Sequence, residues 1–163
     1  MMPSAGSVSA TPVPLDSDNQ DCPISTNDSN PFRTITHKGD MTWYSQGLGA
    51  CGDTYNNSSM TAAVSKMMYD CWPGYTDTGN PNTNPICGPM ISDSCGSIIP
   101  CHEPLTATVY HGENSIQVKI VDRCTHCQVN DIDLTPAAFS ALAGNIGIGR
   151  TNVTWKFNKI GAP

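Results

Sequence analysis

Apolar and polar residues alternate most regularly in two stretches of the chain. From Ser115 to Asp122, Ile116, Val118 and Ile120 fall on one face, and Leu105 to Tyr110 precedes them across His111-Gly112-Glu113-Asn114, which predicts a β-hairpin. Near the end of the chain Val153, Trp155 and Phe157 alternate with Asn152, Thr154 and Lys156, a strand with its apolar set turned inward. Met41-Thr42-Trp43-Tyr44 reads as a first strand. Ala62, Ala63, Val64, Met67 and Met68 have a spacing that suits one short helix, or a strand leading into a helical turn. A second helix is announced by its ends. Thr135 fits an N-cap, Pro136 the first helical position, Phe139 and Leu142 share a face, and Gly144 can stop the helix.

The polar remainder divides the chain. Residues 1–33 are rich in Ser, Thr, Asp, Asn and Pro and hold few large apolar groups, so they read as a flexible tail before a domain spanning 34–163. Cys22 is placed to staple that tail to the domain. Between Cys71 and Pro104 the repeated prolines keep regular structure brief, and Cys71, Cys87, Cys95 and Cys101 are expected to hold the loop in shape. The fold class read from these patterns is all-β, turn-rich and cross-linked.

Composition narrows the setting. Eight cysteines in 163 residues, without a dense His/Cys cluster, read as disulfides made in an oxidising compartment, so a secreted, extracellular protein is expected. Sequons at Asn27, Asn56, Asn57 and Asn152 are compatible with that route. Met1 to Gln20 lacks the basic and apolar regions of a signal peptide, so the numbering is expected to begin at a processed or engineered terminus. No stretch approaches the roughly 20 apolar residues that a spanning helix needs. A net charge of −6 offers no footprint for nucleic acid and favours neutral polysaccharide or protein over acidic polymers.

Candidate chemistry concentrates in Ile120 to Phe139. A strand delivers Asp122, Cys124-Thr125-His126-Cys127 makes a turn, and Asp131 and Asp133 precede the helix. An acid fixed at the junction of two elements suits site chemistry, although Asp133 also suits a structural role beside a helix dipole. The C-x-x-C turn reads as a structural disulfide. A zinc site would need two more ligands, from His102, His111 or His37, and a redox site would need a βαβ setting, so neither metal nor cofactor is expected. Gly47-Leu48-Gly49-Ala50-Cys51-Gly52 lacks the Lys-Ser/Thr ending of a phosphate loop.

Several motifs follow one another in the order seen in expansin-related proteins. They are Thr42-Trp43-Tyr44, Gly49-Ala50-Cys51-Gly52, Ala62-Ala63-Val64-Ser65, Cys87-Gly88, Val121-Asp122-Arg123-Cys124, Asp131 through Phe139, and Val153 through Phe157. Over about residues 39–158 the chain resembles this family, and within it the fungal loosenins. The resemblance implies a six-stranded double-psi β-barrel with short helices and a disulfide-stapled loop, shared with barwin, rare lipoprotein A and small fungal endoglucanases. It also implies a Cys51–Cys87 disulfide. Like the loosenins, the chain is expected to lack the second, carbohydrate-binding domain of expansins.

By the same resemblance Asp133 takes the role of the family's site acid, Asp131 stands where the family has His, and Asp122, Thr42 and Tyr44 line the groove. In the related endoglucanases a catalytic base lies two residues after that Tyr. Here the position is Gln46, which cannot take a proton at neutral pH. The function expected is a monomeric protein, not an enzyme, that binds cellulose, xyloglucan or other β-glucan, or chitin, and loosens it without hydrolysis. Trp43, Trp72, Tyr75 and Tyr55 are candidates for stacking on sugar rings, with core packing as the other reading, and His126 for binding. The alternatives are a weak endoglucanase or lytic transglycosylase with Asp133 as acid, and a barwin-like defence or protease-inhibitor module.

Overall fold

The predicted hairpin is present, and its second strand, of 11 residues, is the longest described. In the computed structural model, which describes residues 22, 30–76, 79–88, 90–91, 101–102 and 104–159, Thr106–His111 (β3) pairs antiparallel with Asn114–Cys124 (β4). The other barrel strands are His37–Trp43 (β1), Thr61–Ser65 (β2), Ile132–Leu134 (β5) and Thr151–Phe157 (β6). They close in the order β1-β5-β2-β4-β3-β6. Two neighbouring pairs, β1 with β5 and β2 with β4, run parallel, and the rest are antiparallel. Closure removes the sheet edges that would otherwise be exposed.

Inward positions fill the barrel. Met41, Ala62, Val64, Val109, Val118, Ile120, Leu134 and Trp155 are buried in one cluster. Trp155 stacks on the His37 ring at 4.3 Å, and both His37 nitrogens are engaged, by the Phe32 carbonyl at 2.8 Å and Asn130 Oδ1 at 2.9 Å. Phe32, on the tail side of the boundary read at residue 34, is itself buried against Trp72. Trp72 also packs on Phe157, so this ring belongs to the core. The bulk of the 1–33 tail lies outside the described residues.

Of the two readings for residues 60–70, the strand leading into a turn is the one found. β2 runs straight into Lys66–Asp70 (α1), whose N-cap Ser65 accepts from the Met68 N–H at 3.1 Å. The other helix, Pro136–Ala143 (α2), has the expected ends: Thr135 caps it, and Gly144 closes it in the left-handed region at φ 81°. The Pro-rich loop holds two 3-10 turns, Pro81–Thr83 and Pro85–Cys87, each opened by an Asn cap and a proline. It also holds a short ladder of Met90–Ile91 with Cys101–His102. Tyr69 ties this loop to α1, donating from its hydroxyl to the Pro81 carbonyl at 2.5 Å and accepting at its own carbonyl from Asn84 at 2.6 Å.

Three disulfides join described residues: Cys22–Cys71, Cys51–Cys87 and Cys124–Cys127. Cys22 is thus stapled to the domain. Cys51–Cys87 is the pairing that the family resemblance implied. Cys95, expected to help hold the loop, lies outside the described residues.

Candidate functional site: an acid row on the outer barrel wall

β5, β2 and β4 lie side by side, and their register sets Asp133 opposite Ala63 and Ala63 opposite Asp122. The two acids therefore flank a small residue on the outer face, their Cα positions two strand spacings, about 10 Å, apart. Strict alternation from Ile116, Val118 and Ile120 would turn Asp122 into the core. The β2–β4 register shifts between Ala62 and Ala63, pairing Ala62 with Ile120 and Ala63 with Asp122, and Val121 is the extra residue. This bulge re-aims Asp122 outward. The sequence signal for it is the apolar pair Ile120-Val121, which breaks the period of two; both residues are buried. Val121 is covered by the glycine-rich turn, where a Cβ on Gly49 would lie 2.5 Å from the Val121 carbonyl oxygen.

Asp133 sits opposite Thr42 across the parallel β1–β5 pair, and the Thr42 hydroxyl donates to its Oδ1 at 2.8 Å. Its Oδ2 faces the Cys124–Cys127 turn, with Cys124 Sγ and His126 Nε2 each 3.8 Å away. A disulfide sulfur has no proton to give, and 3.8 Å is too long for an imidazole hydrogen bond, so both are contacts rather than hydrogen bonds. Burial pushes the Asp133 carboxyl above the usual carboxylate range, opposed by the Thr42 bond and by His126. The carboxyl is nearly closed to solvent, while the His126 ring over it is widely exposed.

Asp122 is held differently. Its Oδ1 accepts the backbone N–H groups of Ala50 at 2.9 Å and Arg123 at 2.8 Å, and its Oδ2 lies 3.0 Å from the Tyr44 hydroxyl. That hydroxyl has one proton and a second acceptor, Gln46 Oε1, at 2.6 Å. Burial and the neighbouring Asp122 charge raise the Tyr44 pKa far above its ordinary value, so the phenol stays a neutral donor. Gln46 Oε1 also accepts from Thr61 at 3.2 Å. Its amide nitrogen is buried with no partner among the described residues.

The other residues singled out by sequence fall in different places. Asp131 is buried, its oxygens accepting from the backbone N–H groups of Asp40 and Gln128, both at 3.0 Å, so it braces the entry to β5. Trp43 is partly exposed and donates its indole N–H to the Ile146 carbonyl at 2.8 Å. Tyr75, half-buried and edge-on to Tyr69, lines a hollow of about 440 Å³ with Leu48, Asp122 and Arg123. Trp72 is away from the groove, in the core. Tyr55 is half-buried in the turn after Gly52. Sequence reading overlooked Ala63, the small buried residue between the two acids, and Arg123, whose guanidinium grips Asp70 at 2.7 and 2.8 Å beside that hollow.

Ligand atoms of Cys124, His126, Cys127 and Asp133 lie within 4.8 Å of one another. The two sulfurs are bonded to each other, so neither is a thiolate. One imidazole and one carboxylate remain, short of a four-ligand zinc set.

Residues 36–155 match the double-psi β-barrel family described as lytic transglycolase. The chain belongs to that family. It is 31% identical over 121 residues to the papain inhibitor of Streptomyces mobaraensis, covering 73% of this chain and 69% of that protein. A solved Streptomyces papain inhibitor superposes with a TM-score of 0.61 at 28% identity, over 80% of this chain and all of the other. An expansin of Clavibacter michiganensis, solved as a substituted form in complex with cellohexaose, shares the fold at TM-score 0.55 and 22% identity. Its apo form matches likewise at 23% identity, and this chain spans 53% of the expansin's length. The double-psi barrel expected from the motif order is thus the fold found.

Proposed function

We propose that this double-psi barrel is a secreted, monomeric, loosenin-like protein that binds neutral cell-wall polysaccharide, cellulose or another β-glucan or chitin, and loosens its packing without net hydrolysis. The observation that carries this reading is the outer row: Asp133 held toward its neutral form beside the Thr42 hydroxyl, with the Tyr44 phenol and Asp122 across Ala63. Such a row lays hydrogen-bond donors and acceptors along the outer wall of the barrel. The weak 3.8 Å approach of His126 is readily given up to a ligand that reaches Asp133.

Hydrolysis by inversion needs a second carboxylate free to activate water. Asp122 already accepts two backbone hydrogen bonds and competes with Gln46 for the Tyr44 proton, and the position of the endoglucanase base is occupied by Gln46. With no fuel, the work of loosening comes from binding separated chains better than bundled ones. The fold shared with an expansin solved with cellohexaose supports this substrate class, and the three disulfides among the described residues suit an oxidising compartment.

A second reading, a cysteine-protease inhibitor, is favoured by the match to a papain inhibitor over that protein's full solved length, and by Leu48 projecting from its turn with 73% exposure. A single acid also suits lytic transglycosylation, which releases anhydro-sugars. One preparation tests all three. Co-sedimentation with cellulose and chitin, lost in Asp133→Asn, supports the proposal; stoichiometric inhibition of papain without polymer binding replaces it with the inhibitor, and anhydro-sugar release with the enzyme.

A further inference from the structure

On the outer face of the barrel, the row at Asp133 does not end at Thr42. Lys38, Asp40 and Thr42 alternate along β1 on the same outward side, while His37 and Met41 turn into the core. Asp40 Oδ2 accepts from Arg150 at 3.1 Å, and the same guanidinium nitrogen stands 3.8 Å from Asp131 Oδ2, bracing the strand end that presents Asp133. Asp40 Oδ1 accepts from the Asn152 amide at 3.0 Å, and the Asn152 carbonyl is 3.0 Å from His111 Nδ1. A continuous polar strip therefore crosses β1, β6 and β3.

It ends in a second hollow of about 480 Å³, walled by Lys38, Asp40, Asn152, Thr154, Tyr110 and His111. Tyr110 and Lys38 both stand opposite Thr154, so the three make one lateral row. The Tyr110 side chain is exposed on this surface, with 37% of the residue accessible. It combines an apolar ring face with hydrogen-bonding groups around it, the composition of a sugar platform. From Thr42 to Tyr110 is four residues along β1 and two strands across, roughly 16 Å. No single sugar ring bridges that distance.

We propose that the Tyr110 hollow is a distal glycan subsite, so that the chain engages an extended neutral β-linked polysaccharide from Asp133 along the outer face of β1 to Tyr110. This rests on the polysaccharide reading above and adds the length and direction of the ligand. Charge agrees with it: Asp40 is neutralised by Arg150, and an uncharged ligand meets no net repulsion there. Stacking on Tyr110 is then available to long chains alone.

Calorimetric titration with cellobiose and cellohexaose tests the proposal, using wild type, Tyr110→Ala, Tyr110→Phe and Asp133→Asn. Tyr110→Ala should weaken cellohexaose binding about five-fold while leaving cellobiose unchanged, and Tyr110→Phe should restore most of the loss. Asp133→Asn should weaken both sugars. Equal affinity of Tyr110→Ala and wild type for cellohexaose, or an equal loss for both sugars, overturns the distal subsite and leaves the Asp133 groove standing. If wild type binds neither these sugars nor chitobiose and chitohexaose, the polysaccharide reading falls and the subsite with it. Tyr110 is a surface residue, and unchanged thermal unfolding of its variants shows that any loss is local.

Discussion

At the level of single residues, Asp133 carries the greatest tension between stability and chemistry. Its folded pKa is raised above the unfolded value, chiefly by burial. Such a group favours the folded state fully below the unfolded pKa, and that contribution is lost as pH rises through the folded pKa. Asp133→Asn keeps an acceptor for the Thr42 hydroxyl and removes the buried charge. The variant should therefore gain melting temperature over wild type progressively as pH rises from the usual aspartate range toward neutrality, while losing polymer binding; thermal scans across pH and a sedimentation assay check the two effects. Thr42→Val removes the bond that opposes the shift, so its loss of stability with rising pH should extend to higher pH than in wild type. The acid itself was legible from sequence as Asp133 before a cap. Its shielding by His126 and its distance from Asp122 were not, because both depend on which strands become neighbours.

At the level of elements, local signals were strongest where backbone chemistry leaves few choices. Thr135, Pro136 and Gly144 define α2, and Thr135 does double duty: its hydroxyl accepts from the Ala138 N–H at 3.3 Å and donates to the Ser59 carbonyl at 2.5 Å. Thr135→Ala should cost about 1–2 kcal/mol, measured by urea unfolding, since the cap and a buried bond go together. Cost near zero would mean that the helix start is held by packing alone. The alternation in β3, β4 and β6 was equally clear, because one face of each meets a single core. The bulge at Val121 escaped such reading. Two successive apolar residues there have two different partners, the barrel interior for Ile120 and the glycine-rich turn for Val121, and only tertiary packing tells them apart. Aromatic roles failed to resolve for the same reason. Trp72 lies in a Pro-rich loop, as an exposed platform would, yet that loop folds back and buries it to 3% exposure against Phe32 and Phe157.

For the whole molecule, covalent staples supplement a modest core. Cys22–Cys71 closes a separation of 49 residues and fixes Cys22 at the end of α1. Its removal by Cys22→Ser with Cys71→Ser should destabilise the domain by about 2–4 kcal/mol, read as a lower urea midpoint. Polymer binding by the fraction still folded should persist, since the acid row lies on β1, β5 and β4. The barrel order could be anticipated only through motif order, because parallel neighbours such as β1 with β5 are 91 residues apart in the sequence, and no local pattern encodes their pairing. That closure is what turns scattered acids into one wall.

In the proposed function this wall loosens polysaccharide by binding and not by cleavage. The most direct measurement incubates wild type and Asp133→Asn with cellulose, xyloglucan and chitin, and records fibre swelling and soluble reducing sugar in the same samples. Swelling by wild type, absent in Asp133→Asn and with no sugar released by either, is the predicted result. Sugar release that depends on Asp133 would contradict it, and would mean that Asp122 or another acid supplies the base that Gln46 cannot.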